Sequence, residues 1–219
     1  MALLPAYNEA ARILPVLERV MLHLPALVVD DGSTDQTAAI ARAAGAQVFV
    51  QQPNAGKGAA LRAGFRYAID AGSEAVVTLD SDGQHDPSDL PAFLIRYGQT
   101  QADLIIGHRD FRLMPVSRRL ANSAGRLAFS WALGQYILDN QSGYRLISRR
   151  MMEATLDSKE EGFEFEVEMI QICLQEGFTL SWVPIKTIYA GEGSHIQPIQ
   201  HVRRFMRQVW LTRQARLKK

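Results

Sequence analysis

Two short apolar runs, each ending in closely spaced aspartates, constrain this chain more than any other feature. Ala26 to Val29 runs into Asp30-Asp31-Gly32, and Ala75 to Leu79 runs into Asp80-Ser81-Asp82. Short apolar runs bounded by turn-forming residues read as buried strands. Amphipathic stretches of helical length separate them. Asn8 to Leu24 places Ile13, Leu17, Val20, Met21 and Leu24 on one helical face. Thr34 to Ala44, Gly56 to Ala71 and Ser88 to Tyr97 read as further helices, the last with Ser88 as its cap. Leu3-Leu4 ends a first strand, and Gln47 to Val50 and Asp103 to Ile106 add two more. Strands alternating with helices predict an α/β fold with a mostly parallel central sheet flanked by helices. Polar motifs that follow such strands gather in the crevice beyond their carboxyl ends. Pro5 to Glu9, Asp30 to Asp35 and Asp80 to Asp86 are therefore expected to meet in space.

The second half is less regular. Arg118 to Leu138 and Phe165 to Gln175 read as helices, Tyr144 to Ile147 and Thr179 to Val183 as strands. Gly191-Glu192-Gly193-Ser194 reads as a flexible loop, and a last helix starts near Pro198. The expected organisation is a catalytic domain over residues 1–197 and a basic amphipathic helix over 198–219. That helix carries seven Lys/Arg and no acid, whereas the whole chain has a net charge of only +1. A body that is otherwise net acidic argues against nucleic acid as a partner.

The lone cysteine, Cys173, rules out an intrachain disulfide and sits in a helical apolar pattern, as a small core residue would. The start of the sequence lacks the basic, then apolar, pattern of a secretory signal. The longest helix-like uncharged stretch, Leu127 to Leu138, is far short of the roughly 20 apolar residues of a membrane span. A cytoplasmic location is expected. Val202, Phe205, Met206, Val209 and Trp210 form an apolar face flanked by Arg203, Arg204 and Arg207. That pattern suits either peripheral binding to an anionic membrane surface or packing on the protein's own body.

Asp80-Ser81-Asp82-Gly83-Gln84-His85-Asp86-Pro87 is the sharpest motif. Two carboxylates this close repel each other unless a cation joins them, and oxygen donors favour a hard ion such as Mg²⁺ or Mn²⁺. Alone, the same spacing also fits an acidic turn after a strand. Asp30 to Asp35 could accept hydrogen bonds from a nucleoside, or form a turn with Ser33 or Thr34 capping the next helix. Asn54-Ala55-Gly56-Lys57-Gly58 is no Walker A loop, because Gln51 stands where its first glycine is required and Gly58 where Ser/Thr is. Its glycines are expected to give close helix-to-strand packing, with Lys57 near an anionic ligand.

In this order, Pro5-Ala6-Tyr7-Asn8-Glu9, Asp30 to Asp35, Asn54 to Gly58 and Asp80 to His85 resemble the family 2 glycosyltransferases with an A-type nucleotide-diphospho-sugar transferase fold. Gly107-His108-Arg109, Asp139-Asn140-Gln141-Ser142-Gly143-Tyr144-Arg145 and Tyr189 to Ile196 look like the dolichol-phosphate mannose synthases and other polyprenyl-phosphate sugar transferases. The resemblance implies a UDP- or GDP-sugar donor, a Mg²⁺ or Mn²⁺ cofactor, and inverting transfer to a polyprenyl phosphate. A glycan or glycolipid hydroxyl acceptor, or a non-catalytic nucleotide-sugar-binding subunit, are the alternatives. By motif, Pro5, Tyr7, Glu9, Val29 and Asp31 would contact the nucleoside, with Leu79 and Ser81 beside them. Asp80, Asp82 and Gln84 would hold metal and diphosphate. Arg109 would meet the phosphates or the lipid phosphate, within a cationic field shared with Arg118, Arg119, Arg126 and Arg145. Asp139 is the candidate base or acceptor-positioning carboxylate. In the late loop, where the mannose synthases carry Arg and Lys, this chain has Lys186, Tyr189 and His195.

Overall fold

The computed structural model describes residues 1–186, 188 and 198–217. Seven strands form one sheet in the order β3-β2-β1-β4-β6-β5-β7. β1 (Ala2–Ala6), β2 (Ala26–Asp30), β3 (Gln47–Val50) and β4 (Ala75–Thr78) run parallel to one another. β5 (Leu104–Arg109) and β7 (Leu180–Ile185) are mutually parallel, and β6 (Arg145–Ser148) runs antiparallel between β4 and β5. The mixed α/β architecture agrees with the strand–helix alternation in the sequence. The reversed central strand is the departure from a purely parallel sheet.

That reversal shapes the site. The parallel strands β1, β2 and β4 deliver their last residues to one edge. Because β6 runs the other way, its first residue arrives at that same edge, with Arg145 paired to Thr78. The loop before β6, Asp139 to Tyr144, therefore faces the loops that follow β1, β2 and β4.

Helices cover both faces. α1 (Ile13–Val20), α2 (Thr37–Ala43) and α4 (Leu90–Thr100) lie on one side, where Ile13, Leu17 and Phe93 pack with Leu4, Val28 and Ile105. α3 (Lys57–Asp70), α5 (Val116–Leu133), α6 (Arg149–Thr155), α7 (Glu164–Gln175) and α8 (Pro198–Leu217) cover the other. There Phe65, Phe129, Met151, Phe165 and Val209 pack with Leu3, Leu27 and Ile147. Cys173 is fully buried in this second layer. Gly64 permits the close approach of α3 to the sheet, since a Cβ there would lie 2.4 Å from Leu3 Cδ1 and 3.1 Å from Val29 Cγ2.

Several elements differ from the sequence expectations for local reasons. α1 begins five residues after Asn8, because residues 8–10 are occupied in loop contacts and Asn8 takes a positive φ of 56°. A 3-10 turn, Pro87–Asp89, precedes α4, and its cap is Asp86, which accepts from Ser88 N–H at 3.0 Å. α6, missed in the sequence reading, is capped by Ser148 accepting from Met151 N–H. α5 stops at Gly134, which adopts a left-handed conformation.

α8 does not present Phe205, Met206, Val209 and Trp210 as one exposed face. Val209 and half-buried Phe205 enter the core, and Thr212 Oγ1 donates to Gln171 Oε1 of α7 at 2.6 Å. Met206 and Trp210 remain exposed. Val202 and His195, with the motif from Tyr189 to Ile196, fall outside the described side chains. Among the described residues, no helix is long and apolar enough to cross a membrane.

Candidate active site

Five loops meet where β1, β2 and β4 end and β6 begins. Hydrogen bonds join the first two: Asp31 N–H donates to Ala6 carbonyl at 2.8 Å, Asn8 N–H to Ser33 Oγ at 2.9 Å and Thr34 N–H to Asn8 Oδ1 at 2.8 Å. Asp35 Oδ1 accepts from Thr37 N–H at the start of α2, and its other oxygen from Ala10 N–H. Ser33 and Thr34 thus tie loops together, and Asp35 holds the first amide of α2. Ser81 Oγ donates to Pro5 carbonyl at 2.9 Å, which brings the loop after β4 against the end of β1. Thr78 Oγ1 donates to Gly143 carbonyl at 2.8 Å, which adds the loop before β6.

Lys57 stands at the centre of the charged cluster. Its Nζ lies 2.5 Å from Asp80 Oδ1 and 3.1 Å from Glu166 Oε1. Burial would lower its pKa, but the Asp80 and Glu166 carboxylates outweigh burial and hold it above the usual lysine range. Burial likewise works against the Asp80 carboxylate, yet the Lys57 charge, with His85 and Arg109, pulls it down to about 2. Asp82 behaves in the opposite sense. Burial, then the neighbouring Asp80 charge, raise its pKa. It forms no ion pair among the described residues, and its Oδ1 accepts only from Gln84 N–H, at 2.9 Å.

This pair of carboxylates fits a divalent cation. Asp82 forms no ion pair among the described residues, and a dication would relieve its repulsion from Asp80. Among the described residues no third His, Cys, Asp or Glu is placed to join a metal. Waters and ligand oxygens would have to complete the shell, as is common for hard ions bound with phosphates. Gln84 contributes to this site through its backbone, while its side chain is exposed.

His85 is buried under the same loop. Burial is the main cause that lowers its pKa to about 4, so the ring is neutral near pH 7. Its Nδ1 accepts from Asp80 N–H at 3.2 Å, and its ring stands 5.2 Å from that of Tyr144. It supports the Asp80 backbone.

Arg109, at the end of β5, and Asp139 form a bidentate pair, with Nε–Oδ2 at 2.7 Å and Nη2–Oδ1 at 2.9 Å. Asp139 is 0% exposed and also accepts from Gln141 N–H at 3.0 Å. Both of its carboxylate oxygens are engaged within the protein. Asp139 orients the Arg109 guanidinium. Arg109 and Arg126 both approach the Phe111 ring, at 5.8 and 5.0 Å from its centroid.

Other residues expected to contact substrate are buried or engaged within the protein. Arg145 is 0% exposed, and its guanidinium donates to the carbonyls of Ser142 and Glu166, so it anchors the loop before β6 from inside. Val29 and Leu79 are core side chains, and Ser81 is spent on Pro5, so these three can offer only backbone to a ligand. Asp31 accepts from the Ala55 and Gly56 amides at 2.9 and 2.8 Å and from Gln51 Nε2, so it fastens the loop that carries Lys57. Glu9 pairs with Arg12 at 2.6 Å, while Tyr7 is exposed at the rim. Gly56 and Gly58 do not pack on a strand. A Cβ at either would strike the Glu161 or Glu160 carbonyl, at 2.5 and 2.7 Å, so they seat α3 against the segment leading into α7.

Glu166 joins the charged cluster only through the fold, which places it on Lys57. Its separation of 109 positions from Lys57 leaves no local signal.

Residues 2–156 match the family model described as Glycosyl transferase family 2. The polyprenol monophosphomannose synthase of Mycolicibacterium smegmatis is 32% identical over 203 residues, covering 84% of this chain and 76% of that protein. The UDP-N-acetylglucosamine--dolichyl-phosphate N-acetylglucosaminyltransferase of Methanococcus voltae is 28% identical over 214 residues, covering 85% and 84%. Among solved structures, glucosyl-3-phosphoglycerate synthase from Mycobacterium tuberculosis in complex with Mn²⁺ and UDP-glucose is similar in fold. Its TM-score is 0.72 at 24% identity, over 96% of this chain and 76% of that one. The chain belongs to glycosyl transferase family 2 and is a glycosyltransferase with the A-type fold.

Proposed function

We propose that the enzyme transfers a sugar, with inversion, from a nucleoside diphosphate sugar to a polyprenyl phosphate, with a divalent metal held by Asp82 and Asp80. The observation that carries the donor side is the close pair of carboxylates, Asp80 and Asp82, at the meeting of β1, β2 and β4, with Asp82 in no ion pair among the described residues. The acceptor class is supported by relatives whose names specify polyprenol and dolichyl phosphates. When bound, the metal supplies Lewis acidity toward the departing diphosphate. The protein's own groups do the rest. Lys57 and Arg109 bring positive charge to the site, and Asp139 fixes the direction of the Arg109 guanidinium. A phosphate acceptor is already anionic near neutral pH and needs orientation rather than a base. The commitment of Asp139 to Arg109 suits that chemistry better than attack by a neutral hydroxyl.

A polyprenyl phosphate stays in its bilayer, so the enzyme must come to the surface. Val116, Leu120, Leu127 and Trp131 of α5 are exposed, and their spacing puts them on one helical stripe. Met206 and Trp210 of α8 are exposed as well, and Arg213 reaches to 4.7 Å from the Trp131 ring centroid. Neither helix contains an acidic residue. Apolar side chains among arginines, without acids, match the chemistry of an anionic membrane interface.

The test is transfer by purified enzyme from labelled UDP- and GDP-sugars to undecaprenyl or dolichyl phosphate in anionic vesicles. Label should enter the organic phase with Mn²⁺ or Mg²⁺ and not with EDTA, and Asp82→Asn should abolish it. Label that enters oligosaccharide hydroxyls but not lipid phosphate would overturn the acceptor assignment.

A further inference from the structure

We propose that Lys57 is a counter-cation built into the metal site, and that Glu166 is the positioning residue that shares it with Asp80. The proposal rests on the reading of Asp80 and Asp82 as a metal pair. Two carboxylates, Asp80 and Glu166, flank a single ammonium, with Asp82 next to Asp80. Lys57 Nζ is within ion-pair distance of Asp80 and Glu166 together, at 2.5 and 3.1 Å. The three groups also close around one point of the backbone. A Cβ added at Gly143 would lie 2.8 Å from Glu166 Oε1, 2.9 Å from Lys57 Nζ and 3.0 Å from Asp80 Oδ2.

The lysine cannot be carried away by backbone movement without breaking other contacts. It is the first residue of α3, whose Gly58 N–H donates to Glu161 carbonyl at 2.7 Å. Its ammonium also lies 5.3 Å from the Phe163 ring centroid, just before α7. Glu166 is in the first turn of α7, and its own carbonyl accepts from Arg145. Both partners are therefore set by the packing of two helix starts.

Glu166 is nearly buried and does not group with Asp80 and Asp82 as a potential metal ligand. Any effect it has on the metal passes through Lys57 or through its charge at a distance. The bridging geometry gives the first route a specific form. With no metal, Lys57 compensates Asp80. A dication arriving at Asp80 and Asp82 repels the ammonium, and Glu166 stands ready to take the whole ion pair without the lysine leaving its place. Lys57 thus competes with the metal for Asp80, and Glu166 weakens that competition.

Mn²⁺ binding to the purified protein without nucleotide, followed by the electron paramagnetic resonance of free Mn²⁺, reads this directly. Lys57→Met should tighten binding about tenfold, because the competitor is gone, and Glu166→Gln should weaken it about tenfold, because the lysine then has only Asp80. In the Lys57→Met background, Glu166→Gln should change affinity by less than about twofold, since its route is lost. The double variant leaves Asp80 without its lysine partner, so a melting curve matching that of Lys57→Met is required to keep the comparison on folded protein. Equal weakening by Glu166→Gln in both backgrounds would mean charge at a distance and overturn the proposal, as would no tightening in Lys57→Met. Asp82→Asn separates the layers. If it binds Mn²⁺ as the wild type does, or if the wild type binds none, the metal reading fails and this proposal with it.

Discussion

Arg109→Ala should destabilise the enzyme by about 3 kcal/mol, quite apart from its effect on turnover. Asp139 is 0% exposed, and Arg109 supplies two of its hydrogen bonds, at 2.7 and 2.9 Å. Removing one member of a buried ion pair costs roughly 3–5 kcal/mol, because the other charge stays buried and unpaired. Two features place the value at the low end. The Arg109 side chain is 18% exposed, so water can follow its removal, and the Gln141 and Arg109 amides still donate to the carboxylate, at 3.0 and 3.3 Å. For a chain of this length, about 3 kcal/mol corresponds to a fall in Tm of roughly 6–12 °C. Asp139→Asn in the Arg109→Ala background should restore about 1–2 kcal/mol by removing the stranded charge. Thermal and urea unfolding, followed by circular dichroism, measure both effects. A Tm for Arg109→Ala within about 2 °C of wild type, or no recovery in the double variant, would refute the buried-pair reasoning.

Three further outcomes follow from separate parts of the molecule. Trp131→Ala with Trp210→Ala should reduce flotation with anionic vesicles severalfold while leaving Tm nearly unchanged, because both side chains are exposed; unchanged flotation would exclude this face as the docking surface. Gly58→Ala should cost about 1–3 kcal/mol by overpacking, since the new Cβ would sit 2.8 Å from Phe165 Cβ and 2.7 Å from Glu160 carbonyl. Gly98→Ala, with open space in α4, should instead stabilise by roughly 0.5–1 kcal/mol in the same melts. Burial works against the Asp103 carboxylate, but hydrogen bonds from Arg150 and Thr179 outweigh it and hold its pKa below the ordinary value. Its stabilisation is therefore present above about pH 4 and lost as pH falls through the lower folded value. The Tm gap between wild type and Asp103→Asn should narrow correspondingly in melts from pH 6 to pH 3.

The donor half was legible because its signals are local. An apolar run followed by acids marks a strand end, and strand ends of a parallel sheet share an edge, so the Asp30 and Asp80 loops could be brought together on paper. β3 was placed at Gln47–Val50 and the start of α8 at Pro198 for the same kind of reason. Direction is not local. Tyr144 to Ile147 has the look of a strand whichever way it runs, so the reversal of β6 was invisible. The inward turn of Arg145 was hidden with it, since an arginine beside a motif reads as a ligand contact until its burial is known. α1 was overextended because apolar periodicity does not register that residues 8–10 are tied to residues 33–35. The Lys57–Glu166 contact depends on how α3 and α7 dock, which no spacing encodes.

The reversal of β6 also governs how the molecule can be taken apart. β4 and β5 are neighbours in sequence but not in the sheet, and the strand that fills the gap between them is drawn from beyond α5. A fragment ending after β5 would keep every donor-side aspartate and still have two raw strand edges facing an empty slot. The half that carries Asp30, Asp80 and Asp82 is therefore not a module that could be cut out or borrowed. Its last supporting strand is a keystone, delivered by the same stretch of chain that carries Asp139 and orients Arg109, so the first half becomes complete only when the second does.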